Sequence, residues 1–465
     1  MNTSRREFVK NSGIVSLGFL ALNSLACKTA RNLSSEIIGF GPQHFQDGDI
    51  LSLPKGFVSK IISKKGDTMN DGFLSPGSHD GMGVFKIRND KMILVRNHEL
   101  LPGSASSGPF GTDSKLIEKI SKDKIYDFGS GNMICVGGTT SMVYNEKTQQ
   151  VESEYLSLVG TIRNCAGGIT PWNSWITCEE TELKKGDAEG ALEKDHGYNF
   201  EVAASETHRL SDPFPLKPMG RFVHEAVTVQ PVSGIVYQTE DSSTGIFYRF
   251  LPNEYGKLYM GGKLQALRIN DWMSADTRNW ENLTTDTFPE KKSFTVSWID
   301  MDHVEAPDSD LRLRGFEQGA ARFSNAEGIW YGKDELYFTC TAGGRNRKGQ
   351  IFKYTPSKYE GQEREKDSPG RLELFLEPNN VDIFQSCDNL TISPWGDVVI
   401  CEDKQDARII GITPKGETYV IAKNIGYPRS EFAGPVFSPS GKTLFVNIQN
   451  PGLTLAITGP WGKRV

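Results

Sequence analysis

The chain has 465 residues, a formal net charge of −6, 24% charged residues, 48 Gly, 25 Phe, 14 Tyr and 8 Trp. That length allows two or three ordinary domains or one large all-β domain, and the acidic balance excludes the basic surface that a nucleic-acid binder needs. Abundant glycine with aromatics favours many short strands and turns over long helices.

The first predicted element lies outside the folded domain. Residues 4–10, SRREFVK, carry twin arginines ahead of the mildly apolar run SGIVSLGFLALNSLA, which is too short and too polar to span a bilayer. This pattern predicts a Tat-type export signal over residues 1–27. Cys27 closes LNSLAC, where a lipoprotein signal would be cut and lipidated, although Ser24 stands where an aliphatic residue is preferred. The mature chain is therefore expected in the periplasm or at the outer membrane or cell surface, with a lipid on Cys27 as its expected membrane contact. Tat carries folded proteins, often with a cofactor in place. The other cysteines form no CxxC pair, and each reads by default as a small buried hydrophobe.

Downstream one grammar recurs six times: strand, turn, strand, polar loop, strand. DGMGVFKIRNDKMILVRNHE carries Asp80 and Glu99. GGITPWNSWITCEE carries Cys178 and Glu179. HEAVTVQPVSGIVYQTED carries Glu225 and Glu240, and EGIWYGKDELYFTCT carries Glu327. DNLTISPWGDVVICED carries Asp388 and Glu402, and GPVFSPSGKTLFVNIQ closes the series. A repeat of three or four short antiparallel strands is the mark of a propeller blade. The expected fold is therefore all-β, a six-bladed β-propeller with irregular insertions, forming a single catalytic domain over residues 28–465. Insertions fall near 101–130, 181–196, 253–290 and 300–320. SKLIEKISK at 114–122 reads as a short amphipathic helix.

Equivalent loops of a propeller converge on one end of its channel. Asp80, Glu225, Glu327 and Asp388 form one equivalent series, and Glu99, Glu179, Glu240 and Glu402 a second. Unit charges 4 Å apart repel by about 4 kcal/mol at an effective dielectric near 20, so a carboxylate ring of this kind requires cations. Oxygen donors suit calcium. A thiolate at Cys178, beside Glu179, adds a soft donor that favours iron or zinc, and His98 and His224 stand next to ring carboxylates as orienting groups. Other catalytic patterns are weak. No GxSxG occurs, HEAVT and HELLP lack the second His of HExxH, and SPSGKT has Val436 where a P-loop requires Gly.

These pieces resemble the PhoX-type alkaline phosphatases. The matching stretches include LVRNHE, CVGGTT, NCAGGITPWNSWITCEE, RFVHEAVTV, GIVYQTEDS, YFTCTAGG, GQIFKYTP and DNLTISPWGDVVICED, in order over most of the mature chain. The resemblance implies a Tat-exported six-bladed propeller that hydrolyses phosphate monoesters at two Fe3+ and three Ca2+ ions bridged by an oxo group. Carried over by motif, it implies Cys178 as the iron thiolate, Glu225 and Glu327 as catalytic iron ligands, and the remaining ring carboxylates as calcium ligands. One departure stands out. The family pattern has Arg two residues before the Glu of EGI, and here Asn325 occupies that place. Arg322 or Arg345 is then expected to contact substrate phosphate, or the substrate differs, diesters included. The expected partner is a phosphorylated small molecule, and the chain is expected to be a monomer. Two other readings stay open: an iron-free calcium propeller with phosphotriesterase, phosphodiesterase or lactonase activity, and a non-catalytic surface-binding propeller.

Overall fold

The computed structural model describes residues 39–131 and 133–462. The twin arginines and Cys27 lie outside them. Short β-rich segments with tight turns make hairpins wherever the pattern requires. His79–Arg88 and Lys91–His98, for example, pair through a two-residue turn in which Asn89 takes φ 45°, the left-handed conformation that a tight hairpin needs.

Six strands stand in a ring, each packed on the next and the last on the first: His79–Arg88, Asn164–Ile169, His224–Val229, Ala326–Tyr331, Cys387–Ile392 and Phe432–Phe437. Each is the inner strand of a hairpin, and each carries the same one-residue bulge. In the first, His79 pairs with His98 but Met82 pairs with Arg96. The same shift follows Asn164, His224, Ala326, Cys387 and Ala433. A bulge puts two residues opposite one and re-aims the side chain it carries.

The arrangement is propeller-like and all-β, but its hydrogen bonds make five sheets, not six separate ones. The nine-stranded sheet starts at His224–Val229, runs outward to Ser293–Asp300, crosses to Arg371–Leu376 and returns to Ala326–Tyr331. Its two end strands lie against each other, so it nearly closes on itself. The cause is the insertion after Pro252, whose strand Ser293–Asp300 offers a free outer edge to its neighbour. Elsewhere Val58–Lys64 joins the strands Phe432–Phe437, Thr443–Ile448 and Leu453–Thr458 into one sheet, so an early and a late segment of the described residues share one unit of the ring. The segment at 114–122 forms two short 3-10 turns, Lys115–Lys119 and Lys122–Lys124.

Apolar side chains fill the spaces between sheets. Phe247, Phe338 and Phe352 stack at ring separations of 4.6 and 5.2 Å, and each such burial contributes roughly 1.5–3 kcal/mol. The axis of the ring is packed almost solid. A cavity of about 20 Å³ lies among Gly81, Ala166, Ala226, Gly328, Asn389 and Gly434, room for little more than one water. The glycines here are small by necessity. A Cβ on Gly81 would meet Ala166 Cα at 2.5 Å, and one on Gly328 would meet Asn389 Cα at 2.7 Å.

Candidate metal centre

The extra residue in each bulge is Asp80, Cys165, Glu225, Glu327, Asp388 or Gly434. Five of the six can ligate a metal, and they converge on one mouth of the ring. Ligand atoms of Glu225, Glu327 and Asp388 lie within 4.8 Å of one another, as do those of Cys165, Glu180 and Glu225, and those of Asp80, Glu99 and Cys165. Cys165 Sγ is 3.2 Å from Glu225 Oε1 and 3.7 Å from Asp80 Oδ1.

The backbone at these positions is held from the neighbouring unit. Asn97 Nδ2 donates to the carbonyls of Cys165 and Ala166 at 3.0 and 2.7 Å. Thr239 Oγ1 donates to Glu327 O at 2.6 Å, Thr339 Oγ1 to Asp388 O, and Asn447 Nδ2 to Asp80 O. Each clasp reaches from the second strand of one hairpin to the donor residue of the next, so the ligand spacing is set between units.

A second tier lies just above. The amides of Glu99, Glu180, Asp241, Thr341 and Asp403 donate to the carbonyls of Ser78, Arg163, Val223, Asn325 and Ser386, each two residues before a bulge donor. Burial, and after it the nearby Glu99, raises Asp80 to about 8 and Glu180 to about 10. Burial and then the surrounding carboxylates hold Glu225, Glu327, Asp388 and Glu431 well above the ordinary range. Glu225 Oε2 is buried with no hydrogen-bond partner among the described residues. Buried acids in mutual contact, an orphaned carboxylate oxygen and one thiol make a donor set that fits hard cations together with a transition metal.

The expected residues divide sharply. Glu225, Glu327, Asp388 and Glu99 meet at the mouth. Cys178 does not. It is fully buried in an apolar cluster with Met219, Phe222, Val227 and Tyr248, and the sulfur at the mouth belongs to Cys165. Glu179, Glu240 and Glu402 also turn away, because they sit opposite Asn164, His224 and Cys387 while their successors reach the mouth. Adjacent strand residues point to opposite sides, and the counterpart of these three in the first hairpin is His98, not Glu99. Each is held by donors other than a metal. Glu402 pairs with Arg408 and accepts from Gln385 N. Glu240 Oε2 accepts from Ile246 N and Tyr248 Oη, and its buried Oε1, without a hydrogen-bond partner among the described residues, lies 3.7 Å from the Arg312 guanidinium. Glu179 accepts from His196 Nδ1 at 2.6 Å and from the amides of Ile162, Gly197 and Tyr198.

His196 Nε2 in turn faces Asp127 Oδ2 at 3.3 Å. Asp127, Cys135 and His196 also bring possible ligand atoms together, but both Asp127 oxygens are taken by the amides of Gly129, Glu193 and Lys194. That cluster is a closed hydrogen-bonded knot.

His98 and His224 bond the carbonyls of Gly77 and Gly220 and leave the carboxylates alone. Arg322 stacks on Phe316, its guanidinium 3.6 Å from the ring centroid, and Arg345 is a 67% exposed side chain paired with Glu281. Among the described residues, the cation on the mouth carboxylates is Arg163, with Nη2 2.9 Å from Glu99 Oε1 and 2.6 Å from Glu180 Oε2. Sequence reasoning missed Arg163, Cys165, Glu180, Asp241 and Glu431. The available signals were the residue before AGG in RNCAGG and the second acid of EE and ED.

A model of the family described as alkaline phosphatase PhoX matches residues 38–452. No curated protein matches the chain. Among solved structures, PhoX of Pseudomonas fluorescens, in complex with vanadate as a transition state analogue, is 17% identical over 91% of this chain and 98% of that one, with a TM-score of 0.61. A protein of unknown function from Dyadobacter fermentans is 9% identical over 87% and 100%, with a TM-score of 0.44. A gluconolactonase from Xanthomonas campestris is 10% identical over 90% and 98%, with a TM-score of 0.37.

Proposed function

The chain belongs to the alkaline phosphatase PhoX family, and from that premise we propose that its carboxylate–thiolate mouth holds an iron–calcium cluster at which phosphate monoesters are hydrolysed. Membership makes the protein a metal-dependent phosphoric ester hydrolase acting on a phosphorylated small molecule. The cluster proposed is two Fe3+ and three Ca2+ ions with a bridging oxo group. The observation that carries it is Cys165 Sγ 3.2 Å from Glu225 Oε1, with the second oxygen of that glutamate buried and unpartnered. A thiolate among carboxylates suits iron or zinc, of which the family resemblance implies iron, and the surplus of acids suits calcium. Cys165, Glu225, Glu327, Asp388 and Asp80 would hold the iron side, and Glu99, Glu180 and Asp241 the calcium side.

When bound, such a cluster supplies Lewis-acid stabilisation of charge on the phosphoryl oxygens. The protein's own part is positional. Carbonyl clasps from Asn97, Thr239, Thr339 and Asn447 keep the donors in register, which pays in advance the entropy of alignment. The axis below the mouth leaves only about 20 Å³, too little for a phosphate ester. The raised carboxyls must give up protons when they take metal, which favours a loaded site at alkaline pH. The six inner strands are read as six blades, with the nine-stranded sheet as two blades joined at their outer edges. The twin arginines and Cys27 support export to the periplasm or cell surface as a lipoprotein, and the chain is read as a monomer.

The test is metal content per chain, visible absorbance and hydrolysis of p-nitrophenyl phosphate on one purified sample. Bound iron and calcium, a thiolate-to-iron charge-transfer band and phosphatase activity are expected. A colourless, iron-free and fully active protein would overturn the cluster assignment.

A further inference from the structure

The residue two places before a bulge donor has a repeated conformation. Ser78, Arg163, Asn325 and Ser386 take φ of 43°, 47°, 51° and 50°, and they precede Asp80, Cys165, Glu327 and Asp388. Non-glycine residues are costly in this region, and such strain collects at functional sites. Here each of the four also offers its carbonyl to an amide of the second tier, that of Glu99, Glu180, Thr341 or Asp403. Two of these side chains visibly reach mouth acids: Asn325 Nδ2 donates to Asp241 Oδ1 at 2.7 Å, and Arg163 bridges Glu99 and Glu180.

Asn325 and Arg163 thus hold equivalent places in two units of the ring, and of the four repeated positions only Arg163 carries charge. Other cations near the rim are committed elsewhere. Arg278 is paired to Asp276 through Nε and Nη2 and bonded to Ser243 O. Arg312 bonds Thr244 Oγ1 and Ser309 O and lies 3.7 Å from both Glu182 Oε2 and Glu240 Oε1. Arg322 stacks on Phe316. Arg163 is 35% exposed and is gripped through Nε and Nη2, which leaves Nη1 for a further acceptor.

We propose that Arg163 is the substrate-binding guanidinium of this phosphatase: it donates to a phosphoryl oxygen of the ester, from a unit separated by one other unit from that in which Asn325 holds the matching place. This rests on the phosphatase reading of the mouth. A planar fork suits a phosphate group, and a guanidinium already oriented by two carboxylates loses little freedom on binding.

The experiment uses Arg163→Gln and Arg163→Lys in the full, metal-loaded chain. It measures metals per chain, KM and kcat for p-nitrophenyl phosphate, and the inhibition constant of inorganic phosphate. Expected for Arg163→Gln is wild-type metal content with KM and the phosphate inhibition constant raised about tenfold or more, the size of a lost charged hydrogen bond. Arg163→Lys keeps the charge without the fork, so an intermediate rise is expected with full metal content. Unchanged phosphate affinity in both loaded variants overturns the proposal and leaves the phosphatase reading intact. Loss of metal in both variants, in step with phosphate affinity, overturns it as well by making Arg163 structural. A metal-loaded wild type that neither hydrolyses the ester nor binds phosphate sinks the phosphatase reading, and the proposal with it.

Discussion

Two cysteines on neighbouring strands illustrate how much one side chain's direction decides. Cys165 faces Asp80 and Glu225, whereas Cys178 is packed under Phe222 and Val227. Cys165→Ser is therefore expected to lose the visible band and the phosphatase activity while the protein stays folded. Cys178→Ala should keep both and cost at most about 1–2 kcal/mol. Absorbance, activity and a denaturant titration on the pair check this. The glutamates of the third unit divide in the same way. Glu225→Gln should lose at least one metal per chain and almost all activity. Glu240→Gln should keep its metals but lose about 1–3 kcal/mol, because Glu240 Oε2 accepts from Ile246 N and Tyr248 Oη while Oε1 faces Arg312 at 3.7 Å.

At the scale of elements, the repeated bulge and the small residue behind it join one unit to the next. A methyl on Gly328 would press on Asp388 O, Asn389 Cα and Leu390 N at 2.7–2.8 Å, all backbone that cannot rotate away. Gly328→Ala should push two inner strands apart, cost about 1–3 kcal/mol and lower metal content, since Glu327 and Asp388 lie on those strands; melting and metal analysis report the two effects together. A second element-scale device is the knot at His196, which ties the strand ending at Glu179 to the loops around Asp127 and Glu193. Burial would push this imidazole down, but Glu179 and Asp127 on its two sides outweigh burial and raise it to about 11. A raised pKa stabilises fully below the unfolded value near 6.5 and loses that stabilisation as pH climbs towards 11. His196→Gln should therefore cost about 3–5 kcal/mol near pH 6, and the gap from wild type should shrink steadily above that pH in urea melts.

Over the whole molecule, the ring of inner strands gathers carboxylates that disfavour one another. Without cations these acids must stay protonated: burial and neighbouring acids raise Asp80 to about 8 and Glu180 to about 10. For an acid with a raised pKa the folded state binds more protons than the unfolded one, so stability falls as pH rises from about 4 through the raised value. Chelator-treated protein should lose melting temperature steadily between pH 5 and pH 9. Protein reloaded with iron and calcium should recover most at the alkaline end, since a ligand bound only to the folded state stabilises by mass action. Equal melting curves with and without chelator at pH 9 would count against a cation-dependent ring.

Local patterning was enough to show that this chain is all-β, that six hairpins recur, that acids cluster where strands end, and which family's motifs it carries. Hydrophobic alternation, turn residues and repeat order are written within a few residues of one another, so they need no tertiary context. Tertiary structure alone decided which of two adjacent residues faces the mouth. Strand side chains alternate with a period of two, and the bulge after each of Asn164, His224 and Cys387 offsets one strand against its partner by a single residue. That offset sends Cys165, Glu180 and Asp241 to the site and turns Cys178, Glu179 and Glu240 into the sheets. The join of two units through Ser293–Asp300 and Arg371–Leu376, and the seat of Arg163 between Glu99 and Glu180, depend on contacts between distant segments. No local pattern records such contacts, because they exist only once the ring has closed.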